Sequence, residues 1–115
     1  MEAGRELDAL VAEKVMGWTI RNGDWVDGEG YAQWEAFDSD YSDSPRFAPS
    51  TDIAAAWAIF EKTLGHVERR GHPIPGEEWL ATIWYEGKAG QAFADTAPLA
   101  ICLAALKVVG AEVPA

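Results

Sequence analysis

The sequence predicts an α+β fold in which a short antiparallel sheet packs against about three helices. Apolar residues recur at three- and four-residue steps in three segments, which is the period of a helix. Between the second and third of these segments, residues 77–94 have the pattern of two strands joined by a turn, which is typical of a β-hairpin. The chain has 115 residues, of which 49% are apolar and 24% charged. That size and mix are typical of one globular domain, so we expect residues 1–115 to form a single domain.

The first predicted helix covers residues 2–16 and stops at Gly17. Its apolar side chains share one stripe: Leu7, Leu10, Val11, Val15 and Trp18. Four charged residues, Glu6, Asp8, Glu13 and Lys14, lie mostly off that stripe. Residues 18–20 are expected to begin a strand.

The second predicted helix opens at residues 47–52, where Ser50 or Thr51 can cap free backbone N–H groups. Its apolar stripe has the clearest helical spacing in the chain: Ile53, Trp57, Phe60 and Leu64. We expect this stripe to face the core and the helix to stop at Gly65.

Residues 66–94 are predicted to form a connector followed by a hairpin. The connector runs to Gly76 and is rich in turn residues. The strand at residues 77–86 has two largely apolar faces, which predicts a sheet covered on both sides. Glu86 and Gly87 can turn the chain into a partner strand.

The third predicted helix opens at residues 95–98, with Asp95 or Thr96 as its cap and Pro98 in the first turn. Gly110 ends it. The stripe consists of Leu99, Cys102, Leu103, Leu106 and a valine at 109 or 113. Cys102 is the only cysteine, and its place on the stripe predicts an inert packed thiol.

Three segments resemble a known family. They are LVAEKVMGW at residues 10–18, PSTDIAAAW at residues 49–57 and ADTAPLAICLAALKVVG at residues 94–110. In order and spacing they are similar to the phage ABA-sandwich domain, a family of hypothetical proteins of tailed phages and prophages. The resemblance implies an alpha-beta-alpha sandwich and an origin in a phage or prophage. It implies no catalytic activity.

The charge of the chain excludes some function classes. Nineteen acids oppose nine bases, for a net charge of -10, so direct nucleic-acid binding is not expected. Binding to an anionic membrane is disfavoured for the same reason, and neither a secretory signal nor a spanning segment is visible. We therefore expect a cytoplasmic protein, and the family resemblance implies an infected or lysogenic bacterial host.

Residues 20–48 are predicted to be an acidic loop with short strands. Residues 24–43 contain seven acids and no Lys or Arg, together with two of the six tryptophans. No stripe requires these two rings, so they either cover the core as a lid or serve as exposed anchors for a partner. Of the other four tryptophans, three are expected on the core stripes: Trp18, Trp57 and one of Trp79 or Trp84.

No catalytic set, metal site or cofactor-binding loop is predicted. His66, Glu68 and His72 do not have the spacing of a standard metal site, and no serine lies in a nucleophile motif. We therefore expect a non-enzymatic protein that acts by binding a host or phage protein or a second copy of itself. One alternative is sequestration of a nucleotide-like ligand, with aromatic rings on the base and an arginine on the phosphate. Another is an acidic inhibitor that mimics nucleic acid. The candidate partner- or ligand-binding residues are Trp25, Tyr31, Trp34, Asp38, Asp40, Arg69 and Arg70.

Overall fold

A computed structural model describes residues 3–21, 24–35, 47–71 and 74–111. Helix α1 (Arg5–Leu10) continues as a π-helical segment (Val11–Val15), and is followed by strands β1 (Thr19–Arg21), β2 (Asp24–Val26) and β3 (Ala32–Glu35). Helix α2 (Ile53–Lys62) precedes strands β4 (Leu64–Arg69), β5 (Trp79–Tyr85) and β6 (Lys88–Ala94), and helix α3 (Ala97–Val108) comes last. This arrangement is the predicted α+β sandwich.

The strands form two antiparallel sheets of three strands each, with orders β1-β2-β3 and β4-β5-β6. In the second sheet, β5 lies at the centre, with Gly65 opposite Ile83 and Ile83 opposite Gly90. The predicted hairpin is confirmed: Tyr85 pairs with Lys88, and Glu86 and Gly87 form the turn. Both turn residues have positive φ, 51° and 78°, as a two-residue hairpin turn requires.

Helix α3 packs on one face of the second sheet and forms the centre of the core. Seven of its twelve residues are buried. The Thr96 hydroxyl accepts a hydrogen bond from the backbone N–H of Leu99 at 3.4 Å, which confirms the predicted cap. The buried sheet residues that face the helix are Ala81, Ile83 and Ala92. Two of the three are alanines, and their small side chains let the helix approach the sheet closely.

The predicted core stripe of α2 is wrong. Ile53 and Trp57 are 45% and 53% exposed, and the helix ends at Lys62, so Leu64 belongs to the next strand. The buried face of α2 consists instead of Ala55, Ala56 and Ile59. This face packs against α3. Its alanines let the two helix backbones approach each other more closely than large side chains would.

The predicted connector is also wrong in its first part. Residues 66–69 belong to β4, which pairs with β5 over its whole length. Five of the six residues of β4 are exposed, so the strand has no alternating apolar pattern. Its backbone hydrogen bonds to β5 hold it in the sheet.

Candidate functional site

The candidate site is the face of the second sheet that points away from α3. Because side chains alternate along a strand, the residues opposite the core face are fixed by the register. In cross-strand rows they are Leu64, Trp84 and Ala89; His66, Thr82 and Gln91; and Glu68, Leu80 and Phe93. We call these nine residues the outer face.

The outer face is apolar and poor in charge. Leu64 is 74% exposed, Trp84 45% and Phe93 43%, and no described helix or strand covers them. Glu68 is the only formally charged residue of the nine, in a chain where 24% of residues are charged. A surface with exposed aromatic rings and few charges resembles the centre of a protein–protein interface.

Side-chain contacts order the polar groups of the outer face. The amide of Gln91 donates a hydrogen bond to the Thr82 hydroxyl at 3.2 Å, and this cover leaves Thr82 only 3% exposed. The His66 ring lies beside the Trp84 ring, with 5.7 Å between centroids. Both contacts limit side-chain motion, so the polar groups of this face are partly ordered.

The two arginines, either of which was a candidate to contact the phosphate of a nucleotide-like ligand, lie on opposite faces of the sheet. Arg69 and Arg70 are adjacent in an extended segment, so their side chains project to opposite sides. Arg70 is on the outer-face side: its guanidinium lies 4.8 Å from the centroid of the Phe93 ring and 3.5 Å from the Glu77 carboxylate. Of the two arginines, Arg70 is therefore the one beside the outer face.

The tryptophan of β2 is part of the core. Trp25 is only 3% exposed, so of its two predicted roles the structure supports the cover over the core and not the exposed anchor. Tyr31, in contrast, is 67% exposed. Trp34 lies in β3 opposite Trp25, but its side chain is outside the described part of the structure, as are Asp38 and Asp40.

One pocket of about 490 Å³ lies between the N-termini of α2 and α3. Its lining includes Ile53, Pro98 and Leu99 and the polar groups of Ser50, Thr96 and Asp95. The Ser50 hydroxyl accepts a hydrogen bond from the Gly4 N–H, and that of Thr96 caps α3. These hydroxyls serve the fold, and the lining residues include no basic group that would recognise an anion.

Metal-binding and membrane-spanning features are not found in the described residues. No three His, Cys, Asp or Glu side chains within residues 3–21, 24–35, 47–71 and 74–111 come together as a metal site. None of the helices described is long and apolar enough to cross a bilayer.

The thiol of Cys102 is buried in α3, where it is fully shielded from solvent. Burial raises its pKa well above the ordinary value, and the negative charge of Asp8 raises it further. The thiolate is the reactive form, so a raised pKa makes the thiol unreactive. The placement agrees with the inert, packed thiol that the helical stripe predicts.

We expect Cys102 to resist a thiol reagent in the folded protein at about pH 8 and to react fully in denaturant. Because its folded-state pKa is raised, Cys102 also contributes stability that declines as the pH rises above about 8.5, where the unfolded thiol ionises. Cys102→Ala should therefore flatten this part of the stability–pH profile. Reaction of the native thiol at the unfolded rate would contradict the prediction.

These features define a small α+β sandwich domain with an apolar sheet face left uncovered by its described helices. The phage ABA sandwich domain matches residues 9–106, and the chain belongs to that family. The chain is similar to a phage protein from Bacillus cereus ATCC 14579, whose crystal structure was determined at 2.0 Å. The two share 26% identity and a TM-score of 0.63, over 96% of this chain and 90% of the other. The comparison with curated proteins finds no match.

Sequence reasoning did not select the outer face. It placed Leu64 in the core stripe of α2 and left the roles of Trp84 and Phe93 open. One signal was present: Leu80 and Trp84 make the second face of β5 apolar, and this predicted a covered sheet. In the described structure that apolar face is open, which makes it the candidate site.

Proposed function

We propose that this chain is a non-enzymatic phage or prophage protein that binds another protein in the host cytoplasm through its outer face. The observation that supports this is the set of three large apolar side chains, Leu64, Trp84 and Phe93, exposed on one sheet face. Monomeric proteins rarely expose such patches without a partner, and Trp is enriched among the residues that dominate binding energy.

The charge of the chain indicates what kind of partner fits. The outer face itself carries one formal charge, whereas the whole chain carries a net charge of -10. A partner with an apolar centre and a basic surround would bury the rings and be attracted by the acidic remainder of the surface. Binding should therefore be faster at low salt, with an association rate that falls as ionic strength rises.

The exposed part of α2 fits this role less well. Ile53 and Trp57 are also exposed, but Trp57 packs edge-on against Phe60, with 5.1 Å between centroids, and Glu61 lies one turn further on. Only two large apolar side chains, Ile53 and Trp57, are exposed on α2, whereas the outer face exposes three on neighbouring strands. Trp57 therefore serves as the matched control position.

Photo-crosslinking in infected or lysogenic cells tests the proposal. A benzophenone amino acid in place of Phe93 should form an adduct with a second protein, and the same group in place of Trp57 should not. The captured protein, once purified, should bind the wild-type chain, and Trp84→Ser should raise the dissociation constant at least about tenfold. No adduct from position 93, equal adducts from both positions, or adducts only between copies of this chain would each overturn the proposal.

A further inference from the structure

Strand β4 is an edge strand whose outer hydrogen-bonding groups can be assigned. The Arg70 N–H donates to the carbonyl oxygen of Glu78 at 2.9 Å, so these two residues form a hydrogen-bonded pair of the antiparallel ladder. Hydrogen-bonded and non-hydrogen-bonded pairs alternate along such a ladder. Residues 64, 66 and 68 therefore also bond to β5, and the backbone groups of Gly65, Val67 and Arg69 point away from it.

No described strand pairs with this outer edge of β4. Such an edge is a template for another strand, and proteins usually protect it with charge, proline or a covering element. Here five of the six residues of β4 are exposed, and the strand contains no proline. The segment 64–70 has two arginines and one glutamate, a formal charge of +1, within a chain of net charge -10. A second acidic chain would therefore meet little repulsion at this edge.

We propose that two copies of this chain pair antiparallel through β4, with Val67 of each copy on the two-fold axis, to form one continuous six-stranded sheet. In this register Val67 pairs with Val67 of the second copy, and Gly65 pairs with Arg69. Every outward-facing N–H and C=O of the three residues then has a partner, giving six hydrogen bonds between the chains.

The same register places His66 opposite Glu68 of the second copy, twice by symmetry. These are non-hydrogen-bonded pairs, in which side chains approach most closely, so the imidazole can donate to the carboxylate. A shift of the axis to residue 66 would set His66 against itself and leave Arg69 unpaired. A shift to residue 68 would set two glutamates against each other and leave Gly65 unpaired. Charge and hydrogen bonding therefore select the same axis.

Val67→Pro removes a donor that points away from β5, so it should break the dimer without removing a hydrogen bond inside the sheet. Sedimentation and light scattering should give twice the 12.5 kDa chain mass for the wild type, up to about 100 μM, and one chain mass for the variant. Circular dichroism checks that the variant is folded. A wild-type monomer throughout this range, or a folded Val67→Pro variant that is still dimeric, would overturn the proposal.

A charge exchange tests the register and does not depend on proline being tolerated. His66→Glu should raise the dimer dissociation constant about tenfold, because it sets two pairs of like charges opposite each other. Adding Glu68→Lys should restore the dimer, since each introduced carboxylate then faces an introduced ammonium group of the second copy. Ala54→Glu, which adds the same charge on the exposed side of α2, should leave the dimer unchanged. Failure of the double variant to recover would refute this register. His66 and Glu68 also belong to the outer face. Both measurements use the purified chain alone, so neither result depends on the partner of the outer face.

Discussion

Replacing Gly90 with alanine is expected to lower the free energy of unfolding by about 3 kcal/mol, at the upper end of the range for overpacking a core. Gly90 lies in β6 directly beneath α3. A Cβ at this position would lie 2.6 Å from the carbonyl oxygen of Ala104 and 2.8 Å from the backbone nitrogen of Val108. Both are backbone atoms of a helix, so they cannot rotate aside, and the whole helix must move off the sheet.

Chemical denaturation followed by tryptophan fluorescence measures this loss. Gly71→Ala is the matched control, because a Cβ there meets no atom within 4 Å and the backbone is not in the left-handed region. Its stability should stay within about 1 kcal/mol of the wild type, with a small gain from the stiffer unfolded chain. If the two variants unfold at the same denaturant concentration, α3 does not approach the sheet as closely as described.

The close contact at Gly90 shows what the sequence could and could not predict. Thr96 and the Glu86–Gly87 turn each have a local signal, and each was predicted correctly. The predicted stripe of α3 is only partly correct: Cys102 and Leu106 are buried, whereas Leu99, Leu103 and Val109 are partly buried. Gly90 is important because it packs against a helix that begins seven residues later. A local sequence pattern does not indicate a contact with an element that far along the chain. A glycine inside a strand indicates a close backbone approach but does not say to which element.

The errors in α2 and β4 have separate physical causes. Periodicity identifies a stripe of large apolar residues, but it cannot weigh that stripe against alanines that allow closer packing. Ala55 and Ala56 therefore lie on the buried face of α2, and Trp57 is exposed. Strand β4 is held by backbone hydrogen bonds to β5, so its side chains carry little strand signal. The outer face was missed because it joins residues of three strands, one of them unpredicted.

Replacing Asp8 with alanine is expected to lower the free energy of unfolding by about 3 kcal/mol, from a lost buried acceptor and the space left behind. Sequence periodicity placed Asp8 mostly off the apolar stripe of the first helix, yet the residue is only 2% exposed. Its Oδ1 accepts a hydrogen bond from the backbone N–H of Ser50 at 2.8 Å, and the Ser50 hydroxyl accepts one from Gly4 at 3.0 Å. These two bonds join the start of α1 to the segment that leads into α2.

Asp8→Asn separates the acceptor from the charge, because the amide oxygen can still accept from Ser50 while the negative charge is removed. If the hydrogen bond holds the two segments together, the asparagine variant should lose about 1 kcal/mol or less, far less than the alanine variant. A buried charge is seldom a net source of stability, which is why we expect the acceptor to dominate. Denaturation of both variants at neutral pH provides the test, and equal losses would show that the charge matters instead. In both variants the pKa of Cys102 should fall, since the charge of Asp8 helps to raise it.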